Sequence, residues 1–156
     1  MKAVVQRAKR ASVSVNGQMV GQINSGLVVF LGVEQGDQAE QVRRLVQRVA
    51  HLRIFADQDD KSNLSLIDIR GQVLVISQFT LCADTDSGRR PSFIRAASPA
   101  EANSLYQMFQ LLLREEYGLT VASGEFGAMM EVEVLNDGPA TFILEEREKS
   151  KSGKLS

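Results

Sequence analysis

The chain has 156 residues, of which 44% are apolar and 24% charged, and its net charge is −1. That suits one globular domain with its own core and excludes a bulk nucleic-acid coater. One histidine and one cysteine exclude an internal disulfide and a Cys/His zinc site, which needs about four ligands. No apolar run has the length of a membrane span and no signal-peptide core opens the chain, so no membrane association and a cytoplasmic location are expected.

Residues 2–23 alternate apolar and polar, with Asn16-Gly17 as a hairpin turn in "SVSVNGQMV". "LVVFLGV" (27–33) is continuously apolar and reads as a strand buried on both faces. Asp37 and Glu40 form a D-x-x-E cap for a helix to about His51, with Val42, Leu45, Val46 and Val49 on one stripe. "LRIF" (52–55) reads as a short strand, "DQDDKSN" (57–63) as a polar loop and "VLVISQF" (73–79) as a second buried strand.

Residues 84–98 carry Gly, Ser, Arg and Pro and read as a long loop. Ser98-Pro99-Ala100-Glu101 is a capping box for a helix to about Tyr117, with Leu105, Met108, Phe109 and Leu112 inward and Gly118 as its stop. "VEVLNDGPATFIL" reads as two strands with a corner between them. Its Asp-Gly suits a hairpin, yet Pro139 lacks the N–H that would close one. The order predicts an α/β fold: a single domain (1–146) of mixed and antiparallel sheet layers carrying two main helices, then a polar, disordered tail (147–156).

Few groups here suit acid-base chemistry. His51 ends a helix and Cys82 a strand, where structural roles are expected. Three basic clusters, Arg7-Lys9-Arg10, Arg43-Arg44-Arg48 and Arg89-Arg90-Arg95, read as solvated surface or as local phosphate contacts. The buried strand turns polar at Ser77, Gln78 and Thr80 around Phe79. Two readings stay open there. The polar groups bond to neighbouring loops, or they line a ligand site beyond the strand's carboxyl end, with the N–H groups of Phe79 and Thr80 as oxyanion donors. An activated ester, cleaved by positioning and preorganised donors, suits such a site.

"SQFTLCA" (77–83) and "NDGPAT" (136–141) together carry a resemblance to the D-aminoacyl-tRNA deacylase (D-tyrosyl-tRNA(Tyr) deacylase) family, matching its SQFTLxA and NxGPxT. The opening "MKAVVQRAKRASVSV" and "RPSF" (90–93) are also similar, over about residues 1–145. The resemblance implies a homodimer with shared active sites that hydrolyses the ester between a D-amino acid and the 3′-terminal adenosine of tRNA. It also implies action on glycine mischarged on tRNA(Ala), with no cofactor and no metal.

It implies that Gly138-Pro139 is a cis peptide reaching into the partner's pocket, that Arg7 holds this segment, and that Asn136 belongs to the same gate. Carbonyls there would hold the substrate's amino group, so that an L side chain is driven into the gate. Ser77, Gln78, Phe79 and Thr80 would form the catalytic end, with Phe79 or Phe126 lining the base site and Met130 a wall. The nucleophile would be water, assisted by the free ribose hydroxyl, with a Thr80 acyl-enzyme as the competing mechanism. Two rivals are a dimeric module that binds RNA or a nucleotide without turnover, and a hydrolase of small acyl esters.

Overall fold

A computed structural model describes residues 1–148, so the polar tail lies outside the described residues beyond Glu148. Strand β1 (Lys2–Val15) turns through Asn16-Gly17 into β2 (Gln18–Ile23), and both turn residues take positive φ, +50° and +76°. Strand β3 (Gly26–Gly32) follows at once. Its even and odd side chains enter different cores, which explains the unbroken apolar run. Leu27, Val29 and Leu31 face one core and Val28 the other.

Helix α1 (Ala39–His51) starts later than its D-x-x-E pattern suggests. The cap is Gln38, whose N–H donates to Gln41 Oε1 at 2.9 Å. Asp37 is engaged elsewhere: its Oδ2 accepts the Glu34 N–H at 2.7 Å. The stripe Val42, Leu45, Val46 and Val49 is buried as expected. The "LRIF" strand is shorter than expected and shifted. Only β4 (Phe55–Ala56) forms, against β5 (Ser62–Leu64), which takes the end of the polar loop.

Strand β6 (Gln72–Ser77) runs parallel to β3 and ends two residues before the expected boundary. Its last partner is Leu31, which pairs with Ser77. After one more bond, from Gln78 N–H to Leu31 O at 2.8 Å, the chain turns into a 3₁₀ turn over Phe79–Cys82. Helix α2 (Pro99–Glu115) opens on its capping box: Ser98 Oγ accepts the Glu101 N–H and donates to Glu101 Oε2 at 2.9 Å. Gly118, at φ +63°, lies just past the helix end. Strand β7 (Thr120–Ser123) then lies parallel to β6; it was not expected, being four residues without a clear alternation.

The last element corrects the two-strand reading. Residues Glu131–Glu145 are one strand, β8, and both halves run antiparallel to the same β1. Pairing steps from Gln6↔Thr141 to Ala8↔Asn136, so four residues, Asp137 to Ala140, lie opposite Arg7 alone. Asp-Gly-Pro is therefore a bulge, and a bulge needs no closing N–H at Pro139.

The sheet order is β2-β1-β3-β6-β7, with β8 on β1. Two parallel crossovers carry α1 and α2, which pack on each other and on the sheet. The sheet curls until β2 meets β7: a Cβ on Gly21 would fall 2.7 Å from Ser123 O. The larger core lies between sheet and helices, around Leu45, Val75, Tyr106 and Phe109. The smaller one, with Ala8, Val13, Val28, Leu74 and Ile76, fills the curl.

Gly26 fixes the spacing of β3 and β6, since a Cβ there would sit 1.8 Å from Gln72 O. Gly26→Ala is expected to cost about 1–3 kcal/mol, as overpacking does. Urea unfolding monitored by circular dichroism measures this, with a lowered midpoint at unchanged slope.

Candidate functional site

The parallel strands β3, β6 and β7 all point their carboxyl ends to one side of the domain. There the 3₁₀ turn over Phe79–Cys82 sits on the end of β3. Gly32 makes room for it, as a Cβ would come within 3.0 Å of Leu81 Cβ and 3.1 Å of Gln78 O. In this turn the first internal bond runs from Leu81 N–H to Gln78 O at 3.2 Å. The two preceding N–H groups, of Phe79 and Thr80, donate to no group among the described residues. They are the two N–H groups that the polar strand end offered as candidate donors, and both are open.

Ser77 is half-buried and Thr80 exposed, and Gln78 Nε2 donates to Thr80 Oγ1. No side chain accepts the Thr80 hydroxyl proton among the described residues. The Phe79 ring is 58% exposed and meets Phe93 edge to face, with centroids 5.1 Å apart. Phe126 and Met130 lie on the segment after β7, which returns to β6 through Gly124 N–H and Val75 O at 3.2 Å. Each is half core. Phe126 tilts against Tyr106 with centroids 5.7 Å apart, and Met130 packs on the smaller core. The structure thus gathers Ser77, Gln78, Phe79, Thr80, Phe126 and Met130 at the same end of the parallel strands.

A second group forms around the bulge. Gly138–Pro139 is a cis peptide. Arg7 Nε donates to Asp137 O at 2.9 Å and lies 3.4 Å from Asp137 Oδ2, while Arg7 Nη1 donates to Ile54 O. The guanidinium therefore ties the bulge to the loop before β4. The Asn136 side chain lies against Gly138, where a Cβ would meet its Nδ2 at 2.6 Å. Asn136, Gly138 and Pro139 are all exposed.

The two groups do not meet within one chain. The 3₁₀ turn lies by Lys2, whose Nζ reaches Leu81 O at 3.5 Å, whereas the bulge faces Arg7. Five residue steps of β1, from Lys2 to Arg7, separate these positions, about 17 Å of strand.

Lys2, Gly32, Ile54 and Phe93, which touch or make room for the candidate groups, were not singled out in the sequence. The glycine closing an apolar run signalled a close approach, and "RPSF" flagged Phe93. Nothing local marks Ile54, which contributes only a carbonyl. His51 stays on α1, its Nδ1 2.9 Å from Gln47 O and its ring edge-on to Tyr117. Cys82 is buried and donates to Val33 O at 3.4 Å. Burial, and then the Glu34 carboxylate, push its thiol up to about 11. Among the described residues, no three His, Cys, Asp or Glu side chains gather as metal ligands, and no helix is long and apolar enough to cross a membrane.

A curled mixed sheet with open backbone donors at its carboxyl end, and a braced Gly-Pro bulge on its edge strand, define the class. The model of the D-Tyr-tRNA(Tyr) deacylase family matches residues 4–145. A D-aminoacyl-tRNA deacylase of Dehalococcoides mccartyi is 56% identical over 149 residues, covering 96% of this chain and 97% of that one. One of Natranaerobius thermophilus is 52% identical, covering 96% and 99%. Among solved structures, a chain described as c-Myc DNA Unwinding Element Binding Protein superposes with a TM-score of 0.90 at 38% identity, covering 94% of this chain and 99% of that chain. A second, from a study of a probable eukaryotic D-amino acid tRNA deacylase, gives a TM-score of 0.80 at 19% identity and covers 92% and 97%, a likeness of fold alone. The chain belongs to the D-Tyr-tRNA(Tyr) deacylase family.

Two outcomes follow from this geometry. Arg7→Ala removes charge-assisted bonds to two backbone carbonyls and is expected to cost about 1.5–3 kcal/mol, measured by urea unfolding. At pH 8 a thiol with a pKa near 11 is about one part in a thousand thiolate. The native protein should resist iodoacetamide at that pH and take up one label in denaturant; mass spectrometry counts the label.

Proposed function

We propose that this protein hydrolyses D-aminoacyl-tRNA in the cytoplasm, and glycine mischarged on tRNA(Ala), as a homodimer with shared active sites. The ester carbonyl oxygen would sit at the N–H groups of Phe79 and Thr80, the two open donors of the 3₁₀ turn. Water attacks the carbonyl carbon and the negative charge develops on the oxygen facing those donors. The bond to the ribose oxygen then breaks. The ribose oxygen takes a proton, and free tRNA and the amino acid leave. Ser77, Gln78, Phe79 and Phe126 would hold the terminal adenosine, with Met130 as a wall.

The chiral gate in this reading is Gly138-Pro139, carried by Arg7 and flanked by Asn136. Carbonyls of the gate hold the substrate's amino group. A D side chain then points to solvent, an L side chain strikes the gate, and glycine has nothing to strike.

The observation that carries the shared site is the separation along β1. Since about 17 Å of strand divides the turn from the bulge within one chain, a site using both takes the bulge from a second copy. An apolar row that is half-buried at Val4 and Phe30 and opens to solvent at Ile143 supports such a pairing. Phe30, Val4 and Ile143 are neighbours across β3, β1 and β8, and Ile143 is 71% exposed.

Thr80 supports water as the nucleophile. Its hydroxyl accepts from Gln78 and finds no base among the described residues. Thr80→Ala should retain turnover within a few-fold, because the donated N–H is backbone; complete loss would favour the acyl-enzyme. The assay is release of radiolabelled amino acid from D- and L-aminoacyl-tRNA, with only the D form consumed. Ile143→Lys should shift the protein from dimer to monomer by light scattering and cut turnover. A dimer that persists would remove this face from the interface.

A 38%-identical structural relative is described as binding a DNA element, which favours the binding module as the second reading. D-aminoacyl-tRNA that is bound but not deacylated would select it.

A further inference from the structure

The strap between the 3₁₀ turn and α2 carries features that the proposed chemistry leaves unused. It is pinned twice. Asp84 and Ser92 exchange backbone bonds at 2.7 and 2.9 Å, and Ala97 N–H donates to Val33 O at 3.0 Å beside the Glu34–Ala96 bridge. Gln35 Nε2 also donates to Ile94 O at 2.8 Å. Between the pins, residues 85–91 form a short tip with Gly88 at φ +96°.

Arg89 and Arg90 stand exposed on that tip, and neither forms an ion pair or a side-chain hydrogen bond among the described residues. Arg95 of the same cluster is instead spent on Asp84 at 3.3 Å. Just past the tip, Phe93 is 41% exposed and touches the Phe79 ring. One continuous surface therefore leads from the open N–H donors of the turn, over two exposed aromatic rings, to two uncommitted guanidinium groups. On a chain of net charge −1 this local charge is not part of a general basic coat.

Aromatic faces beside free cations suit single-stranded nucleic acid, whose bases stack while its phosphates are neutralised. Resting on the proposed function, the geometry points to this strap as the binding surface for the single-stranded 3′ nucleotides that precede the terminal adenosine. Phe93 is the stacking platform for a base, and Arg89 and Arg90 hold the phosphates. With the ester fixed at the turn, the preceding nucleotides run outward over Phe93, which touches Phe79, and on to Arg90 and Arg89 at the tip.

Kinetics on D-aminoacyl-tRNA and on D-aminoacyl-adenosine, which lacks those nucleotides, test the assignment. The Arg89→Ala/Arg90→Ala variant should raise KM for the tRNA ester about tenfold near 0.1 M salt, where a few phosphate contacts weigh heavily. Its log KM against log salt should lose about 1.4 in slope, about 0.7 for each phosphate contact on a single strand. Phe93→Ala should raise KM about tenfold with the slope kept.

An unchanged slope for the arginine pair overturns the assignment. So does an equal loss on D-aminoacyl-adenosine, which would mean that the strap only shapes the reaction centre. A shift from dimer to monomer also overturns it, since a second copy would then cover this surface. Should the wild type hydrolyse neither ester, the proposed function fails separately. Anisotropy titration of a labelled single-stranded RNA ending in CCA then decides the strap by the same tenfold and slope criteria.

Discussion

The structure depends on β1 being paired along both edges. Val4, for example, faces Phe30 on one side and Ile143 on the other. This strand joins the first hairpin to the last strand of the domain and sets the register of everything between them. Because β8 follows β1 on both sides of an insertion, the extra residues are forced outward at one point, opposite Arg7. The bulge is thus a product of register, and its guanidinium brace comes from Arg7, the β1 residue opposite the insertion, which keeps Leu27 of β3 as its other neighbour.

The rest of the domain serves the opposite task of holding a short turn still. Two parallel crossovers place the ends of β3 and β6 side by side. Gly32 lets the turn settle on that ledge, and Cys82 anchors it from below. Donors presented this way are fixed before any ligand arrives, which is what makes backbone N–H groups effective against developing charge. Neither the turn nor its neighbours needs a titrating side chain for this, in keeping with a chain that has one histidine, spent on a helix end.

Much of the fold was legible where one local rule was strong enough to decide. The Asn16-Gly17 turn, the two-faced run 27–33, the stripe of α1 and the capping box of α2 each follow from a single periodicity or cap. The readings that needed correction turned on competition between partners. Asp37 looked like a cap until the Glu34 N–H claimed it. Phe79 looked like strand until β3 offered no further residue to pair. Residues 132–144 looked like two strands with a corner between them because local turn chemistry cannot reveal that both arms share one distant partner. The candidate site residues were visible through two motifs, but their spacing in three dimensions was not. That depends on how far apart Lys2 and Arg7 fall on a strand, and on which edge each motif joins.

Among the described residues strand β8 is hydrogen-bonded to β1 alone, so its other edge, 15 residues long, has no strand partner among them. An edge of that length invites open-ended stacking of further chains. Here it is interrupted by a four-residue bulge that exposes Gly138 and Pro139, and it is studded with Glu131, Glu133 and Glu145. A flat incoming strand meets both a protrusion and like charges, so continuous ladder growth is frustrated while one shaped contact remains possible. The same irregularity that exposes Gly138 and Pro139 also guards the molecule against fibrous self-association.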